Sequence, residues 1–131
     1  MKLDVGQSIS IKIHPGREWE DTQVDIGVNE EYKFFAPGKW VDLFKLTDAN
    51  GFPGNKWYMP HNSEKRAPEF NWFALMGSLD KSETNYFFIG KESQRPFPNT
   101  GRLTCFANDK RGWFFLNNNW KSIKLVITRI K

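Results

Sequence analysis

The sequence predicts an all-β fold, a single-domain β-sandwich of about eight short, mainly antiparallel strands. Apolar and polar residues alternate with a period of two along most of the chain, and no window has the i, i+3, i+4, i+7 spacing of an amphipathic helix. Turn-forming pairs such as Pro15-Gly16, Pro37-Gly38 and Asn50-Gly51 separate these segments. The 131 residues, of which 16% are aromatic, suffice for one core and are too few for two independent domains, so residues 1–131 are expected to form a single domain.

Eight segments have the alternation that is typical of strands. In the first, Ile9, Ile11 and Ile13 fall on one face, as in a strand with one side buried. The predicted strands are Ser8–Ile13, Gln23–Gly27, Glu31–Phe35, Val41–Leu46, Trp72–Leu79, Tyr86–Ile89, Arg102–Ala107 and Ser122–Ile130. This series favours two sheets packed face to face, of the galactose-binding-like or jelly-roll type, and a closed barrel is the alternative.

One long segment, Thr47–Asn71, has no periodicity. It contains four aromatic residues, three prolines and several charged residues. Connections of more than roughly 12–15 residues are uncommon in compact domains unless they are functional or disordered. Its aromatic residues indicate an ordered loop that packs on the body of the domain, either as part of a binding surface or as a cover over a sheet edge.

Cysteine and histidine usage excludes several kinds of chemistry. The single cysteine, Cys105, rules out a disulfide scaffold and a cysteine-based zinc site, and its place between Thr104 and Phe106 predicts a small core residue. The two histidines, His14 and His61, are not spaced as a pair of metal ligands. Because the Gly-x-Ser-x-Gly motif and phosphate-binding glycine loops are also absent, we expect a protein without enzymatic activity.

The net charge of +4 is unevenly distributed. Residues 102–131 contain seven basic residues and one acidic residue, Asp109. These charges are dispersed along strand-like sequence without a basic run, a pattern typical of a solvated sheet face, so nucleic-acid binding is not favoured.

The first residues lack the apolar run of a secretory signal, and no segment approaches the ~20 apolar residues of a membrane-spanning helix. We therefore expect no membrane insertion and a protein that is cytoplasmic as synthesised. Export by a route that needs no such signal stays open.

The segment Phe106–Trp120 carries the residues best suited to binding chemistry. Asn108 and Asp109 stand near its start, and Asn117-Asn118-Asn119 near its end, so oxygen-bearing side chains flank one loop. Calcium takes 6–8 oxygen ligands from carboxylates, amides, carbonyls and water. The residues alone leave two interpretations open: a calcium-binding loop, or an Asx-rich turn whose side chains bond to their own backbone.

A series of sequence blocks extends this interpretation over nearly the whole chain. In order, they are Trp19-Glu20-Asp21-Thr22, Tyr32-x-Phe34-x-Ala36-Pro37-Gly38-Lys39-Trp40-Val41-Asp42, Gly51-x-Pro53-Gly54, Phe73–Gly77, Phe88-Ile89-Gly90, Gly101-Arg102-Leu103 and Phe106–Asp109. The series resembles the PA-IL-type family of bacterial galactose-binding lectins. The resemblance implies a small β-sandwich in which one Ca²⁺ lies in the loop before the last strand and vicinal hydroxyls of galactose complete its coordination.

The resemblance also implies site residues. Asp109 matches the calcium carboxylate, Asn117 and Asn118 (or one of these with Asn119) match the asparagine ligands, and the carbonyls of Trp113 and Leu43 match main-chain ligands. For the sugar, it implies hydrogen bonds from His61, Asp109 and Asn118. The aromatic rings of Trp57, Trp113 or Trp120 would stack on the sugar.

This loop departs from the family pattern in two respects. It has one additional residue between Asp109 and the asparagine pair, and Trp120, Lys121 and Ser122 replace the small residues that usually follow. Two functions therefore remain open. The first is a galactose-type, calcium-assisted lectin domain that binds glycans, with homo-oligomers adding avidity. The second is an interaction module that has lost the calcium and sugar site and binds an acidic protein partner through the Lys110–Lys121 loop.

Overall fold

Eleven β-strands and one short 3-10 helix form the part of the chain that the computed structural model describes, which comprises residues 1–42, 44–54, 59–110 and 119–131. The strands are β1 Ser8–Ile13, β2 Glu20–Ile26, β3 Glu31–Phe35, β4 Lys39–Asp42, β5 Lys45–Asp48, β6 Leu75–Leu79, β7 Tyr86–Phe88, β8 Glu92–Pro96, β9 Gly101–Ala107, β10 Asn119–Trp120 and β11 Ile123–Arg129, and the 3-10 helix is Met59–Glu64. Among these residues, no helix has the length and apolar character needed to cross a membrane.

The strands form three antiparallel sheets. Two have four strands, in the orders β1-β11-β3-β8 and β2-β9-β6-β7, and the third has the order β10-β4-β5. Side chains from both four-stranded sheets share one buried cluster, which includes Ile13, Phe34, Leu103 and Leu125. No strand pairing joins the two larger sheets within the described ranges, so they face each other as a sandwich. The predicted all-β sandwich is confirmed, and the closed barrel is not observed in this part of the chain.

Alternation predicted several strands well. The bounds of β1 and β3 are as predicted, and Cys105 is fully buried on β9, where burial raises the pKa of its thiol. Its interpretation as a small core residue is confirmed. The strand predicted at Val41–Leu46 is wrong: β4 and β5 form a hairpin whose turn includes Phe44, with Asp42 opposite Lys45. That turn has no glycine, proline or asparagine, and so it left no signal in the sequence.

Other boundaries differ for local reasons. β6 begins at Leu75 rather than Trp72, because Phe73 has a positive φ of 63° and interrupts the extended chain. β2 begins earlier than predicted, at Glu20, whose buried carboxylate accepts hydrogen bonds from the His14 amide at 2.9 Å and from Arg17 Nη1 at 2.7 Å. β8 and β10 were not predicted at all. The inward positions of β8 are Ser93 and Arg95, which lack the apolar alternation on which the prediction depended.

Different strand ends and loops lie at the two ends of the sandwich. Ala107, the last residue of β9, pairs with Leu75, the first residue of β6, and the long loop arrives at this end. At the other end, Gly101 pairs with Ile26 at the start of β9. The third sheet is fastened to the core near the first end, because Trp40 Nε1 donates a hydrogen bond to the Phe73 carbonyl at 3.1 Å. The segment after β9 therefore begins at the end of the sandwich where the long loop and the third sheet also lie.

Candidate functional site

Asn108, the first residue after β9, fixes the long loop to the sandwich. Its Oδ1 accepts a hydrogen bond from the Ala67 amide at 2.8 Å, and its Nδ2 donates to the carbonyls of Ala67 at 2.9 Å and Asn71 at 2.8 Å. The side chain is fully buried. The loop is thus ordered at this point, as the sequence predicted, and the amide of Asn108 serves the backbone rather than a ligand.

Asp109, the predicted calcium carboxylate, is buried although its side chain is ionisable. Only 4% of its surface is exposed. Its Oδ1 accepts a hydrogen bond from the Lys110 amide at 2.8 Å, and its Oδ2 accepts one from Asn119 Nδ2 at 3.1 Å. Burial raises the pKa of Asp109 above its ordinary value of 3.8, and the two hydrogen bonds offset this only in part. A cation beside this carboxylate would relieve the cost of burying its charge.

Asn119 is the asparagine that the structure places next to Asp109. It is 6% exposed, and its Nδ2 also donates to the Pro15 carbonyl at 3.2 Å. Its Oδ1 is buried without a hydrogen-bond donor in the described part of the chain. A buried amide oxygen without a donor among the described residues is uncommon, and it can accept from a further group or bind an ion. It is also an oxygen of the kind that calcium binds.

A second carboxylate shares this face of the third sheet. Asp42 on β4 lies directly opposite Asn119 on β10, and both residues are buried. Side chains of directly opposed residues in an antiparallel pair project to the same face. Asp42 is not among the site residues predicted from the sequence, because only the pairing of β10 with β4 brings it there. Two acidic residues and one amide oxygen thus face the same region.

His61, the predicted sugar-contacting histidine, lies in the 3-10 helix beside the residue that follows Asp109. Lys110 Nζ is 3.1 Å from Glu64 Oε2 and 3.1 Å from His61 Nδ1, and His61 Nδ1 is hydrogen-bonded to Glu64 Oε2. These contacts, first the one from His61 and then the one from Lys110, lower the pKa of Glu64. The half-exposed imidazole is therefore held at the same end of the sandwich as Asp109.

The remaining predicted site residues, Leu43, Trp57, Trp113, Asn117 and Asn118, lie outside the described residues. Among the residues that are described, no group of three or more histidine, cysteine, aspartate or glutamate side chains could hold a metal ion. A cation at this end would thus depend on amide and carbonyl oxygens in addition to the carboxylates, which suits calcium better than a transition metal.

Trp120 does not share the face of Asn119. Successive side chains of a strand project to opposite faces, and Trp120 is 59% exposed whereas Asn119 is buried. Trp120 pairs with Val41, which in turn pairs with Leu46. Trp120 and Leu46 therefore lie on the outer face of the third sheet, and Phe44, in the β4–β5 turn, is 92% exposed. We call these three exposed apolar residues the apolar strip. Stacking of Trp120 on a sugar held at Asp109 is not supported by this arrangement.

Comparisons with known proteins bear on the fold. No protein-family model and no curated protein matches the chain. Among solved structures, the chain is similar to the EclA N-terminal domain, which is described as a PllA-like lectin. The two share 19% sequence identity and a TM-score of 0.66, and the similarity covers 92% of this chain and 94% of that one.

The sandwich is therefore of the kind found in lectin domains. At this level of identity the similarity concerns the fold. The lectin-like sandwich fold that the sequence resemblance implied is confirmed.

Proposed function

We propose that the chain is a non-enzymatic carbohydrate-binding domain of the galactose type, assisted by one Ca²⁺ bound at the end of the sandwich where β9 meets the third sheet. The observation that carries the proposal is the buried carboxylate of Asp109 beside the amide oxygen of Asn119, which has no hydrogen-bond donor among the described residues. The similarity to a lectin fold supports the same conclusion.

The donor set fits calcium. Asp109 supplies the buried charge, Asn119 Oδ1 supplies a neutral oxygen, and Asp42 adds a second carboxylate on the same face. Following the family resemblance, the side chains of Asn117 and Asn118 and the carbonyls of Trp113 and Leu43 supply the other oxygens. When bound, the ion attracts the hydroxyl oxygens of a sugar and orients them.

Residues of the chain add specificity around the ion. The half-exposed His61 is held by Glu64 and Lys110, so its ring is fixed before a ligand arrives. Fixed polar groups at the rim of a shallow site orient sugar hydroxyls at little entropic cost. Trp57 and Trp113 are the aromatic residues that we assign to stacking on the sugar ring.

The proposal is tested by isothermal titration calorimetry with methyl galactoside, in calcium and in excess chelator. We expect binding in calcium only. The Asp109→Ala variant should lose it, whereas Asp4→Ala, which removes an exposed carboxylate far from the site in sequence, should keep it. Absence of binding to galactosides and to every sugar of a broad glycan array would refute the proposal.

A second candidate function is favoured by one specific observation, the exposed apolar strip of Phe44, Leu46 and Trp120. Lys121, which follows Trp120 in the chain, is also exposed. Exposed aromatic residues flanked by cations are typical of surfaces that bind an acidic protein partner.

This candidate is tested with the Phe44→Ser, Trp120→Ala double variant. If the strip binds a protein, the double variant loses an acidic partner that the wild type captures from its source cells. Retained capture by the variant, or capture of no partner by the wild type, would count against it. Galactoside binding is expected to persist in the variant, because the strip faces away from Asn119.

A further inference from the structure

A cleft of about 460 Å³ opens at the other end of the sandwich. It lies between two edge strands, β7 of one sheet and β8 of the other, and the loops around Ser82 and Thr100 border it. Its volume falls in the range of roughly 300–1,000 Å³ that is typical of small-molecule sites. β9 separates it from Asp109 by seven residues of extended chain, or roughly 20 Å.

Arg95 is the distinctive residue of this cleft. It projects inward from β8, and its guanidinium carbon lies 4.1 Å from the ring centroid of Phe87 and 5.0 Å from that of Phe97. Its Nε is buried without a hydrogen-bond partner, and within the described part of the chain no ion pair engages its guanidinium. Burial lowers the pKa of Arg95. An unpaired cation in such a position is costly unless something compensates for it.

A second inward residue of β8 also has a buried polar atom. Ser93, two residues earlier on the same face, has a buried Oγ without a hydrogen-bond partner in the described ranges. An inward charge on an edge strand also discourages edge-to-edge pairing of strands. Protection of the sheet edge by itself would require neither a cleft beside Arg95 nor polar residues around that cleft.

The lining determines the class of ligand. Tyr86 and Phe87 supply apolar ring surface, while Asn85, Asn99 and Thr100 supply amide and hydroxyl groups that suit sugar hydroxyls. A guanidinium presents a planar fork of donors that matches a carboxylate in bidentate fashion. Asp80 also lines the cleft, and its negative charge disfavours a dianionic phosphate more than a carboxylate.

We propose that this cleft binds a sugar-sized carboxylate, such as a uronic acid, with its carboxylate on the guanidinium of Arg95. The cleft is a second site, separate from the Asp109 end and independent of calcium. The aromatic residues hold the guanidinium plane in place, so that the carboxylate meets a fixed pair of donors.

The test is a titration with D-galacturonate followed by NMR of the backbone amides, in excess chelator so that calcium is excluded. We expect shifts at Asn85 and Thr100 with galacturonate and none with neutral galactose. Arg95→Gln should weaken the binding by about tenfold or more, since it removes a charge-assisted pair of hydrogen bonds. Lys33→Gln, which removes an exposed cation from β3 of the same sheet, should leave it unchanged.

Asn85→Ala provides a second variant if Arg95→Gln does not fold. Asn85 is exposed at the rim of the cleft, so in the proposed complex it contacts the ligand and it is not part of the core. This variant should weaken galacturonate binding several-fold. The proposal is overturned if galacturonate shifts no amide at this end, if neutral galactose gives the same shifts, or if the folded variants bind as the wild type does.

Discussion

Asn119 donates a hydrogen bond from Nδ2 to the buried Oδ2 of Asp109 at 3.1 Å, and so links the short strand β10 to the end of β9. The same amide group donates to the Pro15 carbonyl, and its oxygen is left without a donor among the described residues. This geometry leaves one acceptor and one buried carboxylate side by side, which is the basis of the proposed calcium site.

Replacement of Asn119 tests whether this amide has both a structural and a ligand role. Asn119→Ala removes partners of Asp109 and Pro15, so we expect the free energy of unfolding in chelator to fall by about 1–3 kcal/mol. The additional stability that calcium gives to the wild type should also decrease. Urea unfolding with and without calcium measures both effects. An unchanged calcium increment would exclude Asn119 Oδ1 as a ligand.

The effect of calcium should depend on pH in a way that reflects the raised pKa of Asp109. A raised folded-state pKa means that the folded protein, without calcium, holds this proton to a higher pH than the unfolded chain does. The contribution of Asp109 to stability without calcium is then lost as pH rises from 3.8 through the raised pKa. Calcium needs the deprotonated carboxylate, so its stabilising effect should be complete above the raised pKa and decline as pH falls through it. Thermal unfolding over a pH series checks this, and a calcium effect that persists undiminished down to pH 3.8 would contradict it.

Replacement of Asn108 should lower the free energy of unfolding, because its side chain holds the long loop on the sandwich. Asn108→Ala deprives the Ala67 amide and the carbonyls of Ala67 and Asn71 of their buried hydrogen-bond partner. We expect the free energy of unfolding to fall by about 3 kcal/mol. Asn85→Ala, at an exposed asparagine, serves as the matched control and should change stability by less than about 0.5 kcal/mol. Equal losses in the two variants would show that the loop is not held by Asn108.

Gly51 should tolerate no side chain. It has φ of +72°, and a Cβ there would overlap the Trp72 carbonyl and lie 2.6 Å from the Ala74 amide nitrogen. Gly51→Ala should therefore cost about 3 kcal/mol or more in stability. Gly6 has a similar φ of +87°, but a Cβ at that position would meet no atom within 4 Å, so Gly6→Ala should cost only about 1 kcal/mol. Chemical denaturation of the pair separates overlap from backbone strain, and similar costs would contradict this account.

The sequence was most informative where one face of a strand is buried. Ile9, Ile11 and Ile13 predicted β1 because their alternation reports burial directly. β8 has Ser93 and Arg95 at its inward positions, so its inner face could not be recognised from hydropathy. Asp109 was identified by its residue type and by resemblance.

The partner of Asp109 could not be identified in that way. Asn117, Asn118 and Asn119 are chemically equivalent in sequence, and only the register of β10 against β4 places Asn119 beside the carboxylate. The same register brings Asp42 to the site from far away in the chain. The role of Asn108 likewise depends on hydrogen bonds to a loop far earlier in the chain, and that of Arg95 depends on the packing of β8 against Phe87 on β7 of the other sheet, neither of which residue patterns encode.

The most direct test of the central claim is the thermal unfolding midpoint in saturating calcium and in excess chelator, for the wild type and for Asp109→Ala. A ligand at about 100 times its Kd stabilises the folded state by ~2.7 kcal/mol, which for a domain of this size raises the midpoint by roughly 10 °C. We expect such a rise in the wild type and none in Asp109→Ala. An equal midpoint in calcium and chelator for the wild type, or an equal rise in both proteins, would contradict a calcium site at Asp109.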